Sequence, residues 1–349
     1  MQQKYNKQIA YWLIFGGLMV LLMVIIGGIT RLTHSGLSIV TWQPIKGILP
    51  PMNEAEWQAA FEAYKKIPEY NKVHFYFTLQ DFKHIFFWEY LHRMLGRSLG
   101  IVFFIPFLYF LLTKKIRSRK LLKRLLLIFF LGGLQGFAGW YMVKSGLVEN
   151  TSVDHVRLAI HMSMALIILT SISWTVFELL FYSKANIDTP KINHSLKFVI
   201  TLVAIQIIYG GLTAGLKAGY VFPTYPKMGT KWFPDIARQS LISDGILSFI
   251  NFPASVQFVH RWLGFIILCL LLFQIMNVRK IKNRLLKKIF WFVILLISLQ
   301  FTFGVFVLLL KVPIHLAVTH QVTAFLLFIS LLFAYYLSKR RRNIYSVYS

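Results

Sequence analysis

The sequence predicts an all-α integral membrane protein with eight transmembrane helices and both termini in the cytoplasm. Its composition is 57% hydrophobic, which is not typical of a soluble protein. Eight apolar stretches are long enough to cross a hydrocarbon core about 30 Å thick. The predicted spans are residues 9–30, 86–112, 121–143, 156–182, 196–216, 256–278, 286–310 and 314–337.

Basic clusters set the predicted orientation. The formal net charge is +26, and the densest clusters lie on the same side of the membrane as Lys4 and Lys7. The positive-inside rule assigns that side to the cytoplasm. This placement favours contact with anionic membrane lipids and argues against nucleic acid as a partner. The clusters are Lys114, Lys115, Arg117, Arg119, Lys120, Lys123 and Arg124; Arg279, Lys280, Lys282, Arg284, Lys287 and Lys288; and Arg340, Arg341 and Arg342.

Two long segments, residues 33–84 and 217–255, then face outward. The first has a mixed-charge composition, and residues 53–66 within it predict a short amphipathic surface helix. The first span lacks a small-residue cleavage site, so we expect it to be retained. Cys269 is the only cysteine, which excludes a disulfide or a cysteine metal cluster within one chain.

Matching motifs predict two repeated four-helix units, residues 1–183 and 184–349, joined by a cytoplasmic linker at 183–195. The motifs keep their order and stand in corresponding spans, so the units should share one membrane orientation. The glycine pairs among them indicate close approach of a helix backbone or a flat ligand. The matches are Gly27-Gly28-Ile29-Thr30 with Gly210-Gly211-Leu212-Thr213, His92-Arg93-Met94-Leu95-Gly96 with His260-Arg261-Trp262-Leu263-Gly264, Leu134-Gln135 with Leu299-Gln300, and His161 and Ala165 with His320 and Ala324.

One histidine stands in every second span: His92, His161, His260 and His320. Each is about seven residues inside the outer end, a depth of about 10 Å at about 1.5 Å per residue. Histidine is costly inside a bilayer, and two imidazoles on facing helices can clamp a haem iron. The spacing therefore predicts two haem sites near the outer face. The alternatives are buried histidines that only bond to a neighbouring helix, and zinc, for which no third ligand is placed.

The six other histidines are weaker candidates. His155 and His315 begin spans five or six residues before the next histidine. At about 100° per residue they point away from the face of that histidine. We expect loop positions for His34, His74, His84 and His194.

Glu89 is the residue that distinguishes the two units. It stands one turn before His92, on the same helix face, whereas Gln257 occupies the matching place before His260. This difference indicates that one site does chemistry while the other holds a cofactor. The alternative is that Glu89 pairs with Arg93 at i+4, and both can hold. Candidates to bind the anionic haem propionates are Arg93, Arg97, Arg157 and Arg261, each of which could instead snorkel or contact lipid phosphate.

Ordered motifs along nearly the whole chain carry a family resemblance. In the first half they are Gly28-Ile29-Thr30-Arg31-Leu32-Thr33, Ser35-Gly36-Leu37-Ser38, Trp42-Gln43-Pro44-Ile45-Lys46-Gly47, Leu49-Pro50-Pro51, Glu89-Tyr90-Leu91-His92-Arg93-Met94-Leu95-Gly96-Arg97, Leu134-Gln135-Gly136 and Gly139-Trp140-Tyr141-Met142-Val143-Lys144-Ser145-Gly146-Leu147. In the second half they are Ala214-Gly215-Leu216-Lys217-Ala218-Gly219, His260-Arg261 and His320-Gln321. Together these motifs resemble the haem A synthase family, of the kind found in mitochondria and many Gram-negative bacteria.

The resemblance implies an inner-membrane enzyme that oxidises the C8 methyl of haem O twice, giving the formyl group of haem A for cytochrome oxidase. It implies that the first unit holds the substrate haem between His92 and His161. It also implies that the second unit holds a haem b cofactor between His260 and His320. Glu89 would transfer protons or stabilise positive charge near the methyl. The implied partners are the haem O-making protohaem farnesyltransferase and cytochrome oxidase assembly factors, and a homo-oligomer stays open.

Two other functions remain as alternatives: a non-enzymatic di-haem b membrane electron carrier, and a haem transporter or chaperone. Glu89 without a counterpart favours the enzyme, and all four histidines near one face argue against electron transfer across the membrane. A transporter would need a continuous polar path, which the inner halves of the spans lack. Some family members carry cysteine pairs in the outer loops, so their absence here excludes a thiol role. Aspartate-rich diphosphate sites are also missing, so the chain is not the farnesyltransferase itself.

Overall fold

The computed structural model describes residues 2–41, 46–149, 151–181, 190–280 and 283–338. Over these residues the chain is largely helical and forms no β-strand. Eight helical stretches among the described residues are long and apolar enough to cross a membrane, which confirms an all-α membrane protein with eight spans. In chain order the helices are α1 (Gln2–Leu32), α2 (Glu54–Tyr64), α3 (Leu79–Leu112), α4 (Arg119–Glu149), α5 (His155–Leu180), α6 (Pro190–Gly215), α7 (Asp235–Asp244), α8 (Ser248–Asn251), α9 (Pro253–Phe273), α10 (Ile275–Arg279), α11 (Arg284–Leu309) and α12 (Ile314–Ser338).

The eight spans are α1, α3, α4, α5, α6, α9 continued by α10, α11 and α12. Their outward faces carry large apolar side chains such as Leu112, Phe130 and Phe273, which are 62–72% exposed. A helix satisfies its own backbone hydrogen bonds, so such a surface suits a hydrocarbon solvent. Several predicted features lie outside the described residues: Trp42-Gln43-Pro44-Ile45, residues 182–189 at the end of the fourth predicted span and in the linker after it, Lys282, and Arg340, Arg341 and Arg342.

The same helix pairings recur in the two halves of the chain. In the first half α1 packs on α3 and α5, and α5 packs on α4; in the second half α6 packs on α9 and α12, and α12 packs on α11. The halves meet where α5 contacts α6 and where α12 contacts α1 and α5. One continuous apolar core, which includes Leu13, Leu169, Phe290 and Phe325, runs through both halves.

Each predicted glycine pair brings two helices close. A Cβ on Gly28 of α1 would lie 3.0 Å from the Gln321 amide oxygen of α12, and one on Gly211 of α6 would lie 3.0 Å from the Ala159 Cα of α5. Both glycines therefore allow a helix of one half to pack against a helix of the other. Their neighbours Gly27 and Gly210 face histidines within their own halves.

The first outer segment, residues 33–78, packs on an extension of α3. The predicted short helix is confirmed as α2, capped by the Asn53 side chain, and its buried Phe61 and Tyr64 pack against Phe82 and Phe86 of α3. The predicted start of α3 at residue 86 is wrong, because a capping box at Thr78 and Asp81 begins the helix at Leu79. The additional two turns bury aromatic side chains against the outer segment, not against lipid.

Three of the four histidines expected in loops lie in helices or helical turns. His84 is in α3 and His194 is in α6, so the loop prediction was wrong for both. His74 ends a π-helical turn (Tyr70–His74) and is buried. His74 is buried because the outer segment packs around it. His84 and His194 are helical because α3 and α6 begin before the apolar stretches that predicted them. His34 lies in the turn after α1, as predicted.

A buried hydrogen-bonded cluster lies inside the first outer segment. The Tyr64 hydroxyl donates to Glu69 Oε2 at 3.1 Å and lies 2.7 Å from His74 Nδ1. Burial raises the pKa of Glu69 to about 8 and lowers the pKa of His74 to about 4. Nearby Lys217 offsets part of the Glu69 shift.

We expect this cluster to make stability fall as pH rises from 6.5 to 8. The folded protein keeps the Glu69 proton up to about pH 8, whereas the unfolded chain loses it near 4.5, so the free energy of unfolding decreases between those values. His74 acts in the opposite direction, but only below its ordinary pKa of 6.5. Thermal unfolding in detergent at pH 6.5 and 8 should show the decrease for wild type and not for Glu69→Gln. Glu62→Gln, at an exposed carboxylate on α2, is the control and should keep the wild-type slope; the same slope in all three proteins would contradict the assignment.

Candidate functional site

The four candidate ligand histidines lie on α3, α5, α9 and α12, inside the bundle. His161, His260 and His320 stand six or seven residues after the first residue of their helices, as predicted. His92 stands thirteen residues after the start of α3, so the predicted count was wrong for this histidine because α3 begins earlier. The ring centroids of His260 and His320 are 6.4 Å apart, and the two ring planes are inclined at 78°.

Each of the four imidazoles lies against a glycine of the preceding spanning helix. A Cβ on Gly27, Gly139, Gly210 or Gly304 would meet the ring of His92, His161, His260 or His320 at 3.2, 3.0, 3.5 and 2.9 Å respectively. The shortest two distances are at or inside the limit that real side chains reach, so a larger residue would displace the ring. The glycines thus let four rings sit directly against helix backbone.

Three glutamines, one turn before three of these glycines, contact the same rings. Gln135, Gln206 and Gln300 place Nε2 at 3.3, 3.5 and 3.3 Å from Nε2 of His161, His260 and His320. Met23 occupies the fourth position, one turn before Gly27. The sequence comparison of the halves paired Gln135 with Gln300 but missed Gln206 and Met23. The spacing of four residues before each glycine is the signal that would have found them.

The spacing of His260 and His320 is compatible with the two-histidine haem site that the sequence predicts, and the assignment of both pairs to haem iron stays a prediction. Among the described residues, no three His, Cys, Asp or Glu side chains converge on a metal position. Two metal–nitrogen bonds of about 2 Å and two ring radii of about 1 Å would span about 6 Å, close to the separation of the His260 and His320 rings. Polar atoms at both pairs, including His161 Nδ1 and His260 Nδ1, are buried without a hydrogen-bond partner.

Glu89 clamps the first outer segment onto α3. Its Oε2 accepts hydrogen bonds from Ser38 Oγ at 2.7 Å and from the Ile39 N–H at 2.8 Å. Arg93 Nη2 donates to Glu89 Oε1 at 2.6 Å and to the Ile39 carbonyl at 3.0 Å. The ion pair that the sequence offered as an alternative is therefore present. The carboxylate is buried and surrounded by donors, and its part in chemistry stays a prediction.

A matching clamp holds the second outer segment, residues 216–252, onto α9. Arg261 donates to the carbonyls of Phe222 and Thr224, and Gln257 Nε2 donates to the Phe222 carbonyl at 3.3 Å. Arg261 thus corresponds to Arg93 in both sequence and contact. The side chain one turn before the arginine is a carboxylate in the first clamp and an amide in the second.

The predicted propionate-binding arginines have different surroundings. Arg93 and Arg261 belong to the clamps, Arg157 lies over the Tyr141 ring at 5.0 Å, and Arg97 is 3.5 Å from the Met94 sulfur. Propionate binding stays a prediction for all four.

A cleft of about 280 Å³ opens between the first outer segment and α4, with Arg93, Trp140 and Lys144 in its lining. Lys144 is a second cation there that the sequence analysis did not select.

Comparison with known proteins gives consistent matches over nearly the whole chain. Residues 10–332 match the model of a family described as cytochrome oxidase assembly protein. A protein named heme A synthase from Flavobacterium johnsoniae is 39% identical over 333 residues, which cover 93% of this chain and 96% of the relative. Those of Rickettsia bellii and Rhizorhabdus wittichii are 39% and 42% identical, over 96% and 93% of this chain and 99% and 92% of their own.

We expect Gly304→Ala to lower the haem content of the purified protein. The added methyl would lie 2.9 Å from His320 Cε1, so the imidazole must move away from its present position. Gly16→Ala on α1 is the control, because no atom lies within 4 Å of the new Cβ. Gly304→Ala and Gly16→Ala should each stabilise their helix by about 0.5–1 kcal/mol, so this effect is the same in both variants. Spectroscopic haem-to-protein ratios would test this. Equal ratios in the two variants would show that the glycine does not position the ring.

Proposed function

The chain belongs to the cytochrome oxidase assembly protein family, and we propose that it acts as a haem A synthase, which oxidises the C8 methyl of haem O to the formyl group of haem A. The methyl is hydroxylated twice, and the resulting gem-diol loses water. The observation that carries the proposal is a difference between the two histidine pairs in the residue one turn before the first histidine of each. Glu89 stands one turn before His92, and Gln257 stands in the same place before His260.

We further propose that residues 1–183 and 184–349 are two units with different tasks. The first binds haem O between His92 and His161, and the second holds haem b between His260 and His320. The recurring helix pairings and the glycine beside each of the four candidate ligand histidines support this division. When bound, haem b supplies one-electron redox chemistry.

The residues of the second unit hold its cofactor and cover it. His260 and His320 are the ligands, and Gly210 and Gly304 leave room for their rings. Arg261 and Gln257 tie the second outer segment down over the outer end of α9 through backbone carbonyls. A covered site of this kind excludes water from a buried redox centre.

Glu89 gives the first unit a group that the second lacks. It shares a helix face with His92, and Ser38, the Ile39 N–H and Arg93 fix its position. A carboxylate held in this way can accept a proton from the methyl carbon as it is oxidised, or stabilise positive charge that develops there. The cleft beside the clamp, with Arg93 and Lys144, is suited to anionic propionates.

We propose that the protein lies in the cell inner membrane with both termini in the cytoplasm and with its haem sites near the extracytoplasmic side. The basic residues of the loops after α3 and α10 support this orientation. Haem O would come from the protohaem farnesyltransferase, and haem A would pass to cytochrome oxidase assembly factors. An electron carrier with two haem b groups would need no carboxylate at one site, and the named relatives do not favour it.

We expect His260→Ala and His320→Ala each to remove the resident haem b. Each change leaves the iron with one protein ligand, in a bundle otherwise too apolar to replace the other. His315→Ala, at an exposed position on α12, is the control and should retain haem. Absorption spectra of the purified variants would measure this. Full low-spin haem in both would rule out the assignment to the second unit.

The proposed reaction is tested by extracting haems from cells that make haem O, with and without this chain. We expect haem A with wild type, and haem O or its hydroxymethyl derivative with Glu89→Gln, because glutamine cannot ionise. Ser38→Ala removes one clamp hydrogen bond but keeps the carboxylate, so it should still yield haem A. If both variants make haem A at reduced protein yield, Glu89 is only a clamp; if wild type makes none, the proposed function is wrong.

A further inference from the structure

We propose that the boundary between α3 and α4 is a lateral opening, through which haem O reaches His92 and His161 from within the bilayer and haem A leaves, and that an aromatic contact closes the corresponding boundary between α9 and α11. The inference rests on the proposed function, because it explains how one unit exchanges a porphyrin while its repeat retains one. It assigns the route to the side of the bundle that faces lipid.

The boundary between α9 and α11 is closed by aromatic side chains. The Phe301 ring of α11 lies 6.3 Å from the Phe265 ring of α9 and 6.0 Å from the Tyr225 ring of the second outer segment, between centroids. Phe301 directly follows Gln300, which contacts the His320 ring. The aromatic contact therefore joins two spanning helices and the segment above them beside the second histidine pair.

The first unit cannot make this contact. At the two positions that correspond to the aromatic pair of α9 and α11, it has Arg97 on α3 and Gly136 on α4. A Cβ on Gly136 would have no atom within 4 Å. Gly132, one turn earlier on α4, is exposed and has equally open surroundings, whereas the corresponding Ile297 of α11 is buried.

Glycine also takes the place of a larger residue on α3. Gly100 is exposed, and a Cβ there would have no atom within 4 Å. The corresponding residue of α9 is Leu268, which packs against the apolar core. Both helices at this boundary of the first unit therefore have exposed glycine where the second unit has a bulky side chain.

The open stretch between α3 and α4 has two defined ends. At the end away from the first outer segment, the Phe129 ring of α4 packs on the Phe104 ring of α3, with centroids 5.8 Å apart. At the other end, Val143 of α4 lines the cleft beside the outer segment. Gly132 and Gly136 stand between Phe129 and Val143 at spacings of a single helix face. The cleft therefore continues along the glycines toward the hydrocarbon region.

The surroundings of this opening match the chemistry of haem O. Arg93 and Lys144 line the cleft at its outer end, and the other lining residues are apolar. Gln135 Oε1, next to Gly136, and His161 Nδ1 are buried and have no hydrogen-bond partner among the described residues. Haem O has carboxylates and a long isoprenoid tail, so the cations suit its charged edge. A route within the bilayer keeps the tail out of water.

Gly136→Phe tests the opening, because it gives the first unit the residue of the second. Full-length protein with its resident haem b is placed in phosphatidylcholine vesicles, haem O is added to the same bilayer, and binding is followed by absorption. We expect binding about 10-fold slower than in wild type, with the same final amount bound, because an added ring must move before a porphyrin passes. Gly16→Phe on α1 is the control and should bind at the wild-type rate, because its glycine also has no atom within 4 Å of the Cβ position.

The reciprocal change tests the closed boundary. We expect Phe301→Ala to release resident haem b to excess apomyoglobin about 10-fold faster than wild type does, because it removes the ring that joins α11 to α9. Phe290→Ala is the control for lost packing. It removes a buried ring from the apolar core on the same helix, about three turns before Gln300, and should release haem b more slowly than Phe301→Ala does.

The outcomes separate access from folding and from the proposed function. Wild-type rates in both Gly136→Phe and Phe301→Ala would overturn the inference, and so would a lower final amount of haem O bound by Gly136→Phe at an unchanged rate. Equal release from Phe301→Ala and Phe290→Ala would also overturn it, because loosened packing would explain both. If Gly136→Phe loses its resident haem b, it is misfolded and Phe301→Ala decides. Wild-type protein that holds haem b but binds no haem O would contradict the proposed function itself.

Discussion

The contact between a histidine ring and a bare stretch of helix backbone is the constraint on which the rest of the bundle depends. It occurs four times, with Gly27, Gly139, Gly210 and Gly304 under the four rings. An imidazole is costly to expose to lipid, so a histidine within a membrane span packs against other parts of the protein. The neighbouring glycines Gly28 and Gly211 then decide how the halves join, because they admit α12 and α5. In each glycine pair, the first glycine therefore leaves room for a histidine ring, and the second leaves room for a helix of the other half.

The outer segments complete this frame in the same way in both halves. Arg93 and Arg261 each reach from a histidine helix to backbone carbonyls of the segment above it. Within this shared geometry one group beside the arginine differs, the Glu89 carboxylate against the Gln257 amide. In the proposed function, this difference separates a unit that transforms a haem from a unit that retains one.

Features set by local composition could be predicted from the sequence. Eight spans follow from hydropathy and length, and α2 follows from its amphipathic pattern. The four histidines and the glycine pairs were found because they repeat at fixed spacing. Features set by long-range packing could not be predicted: the two additional turns of α3 depend on Phe61 and Tyr64 meeting Phe82, and burial of His74 depends on the same cluster. The backbone carbonyls that Arg261 contacts lie almost forty residues away along the chain, at Phe222 and Thr224, so the sequence alone did not reveal this clamp.

The most direct test of the two-site arrangement is to locate iron in the folded protein by anomalous scattering at the iron edge, first as purified and then after addition of haem O. We expect one iron between His260 and His320 in the purified protein and a second between His92 and His161 after addition. A single iron shared by histidines of different halves, or iron bound away from these four rings, would contradict the assignment of one haem to each half.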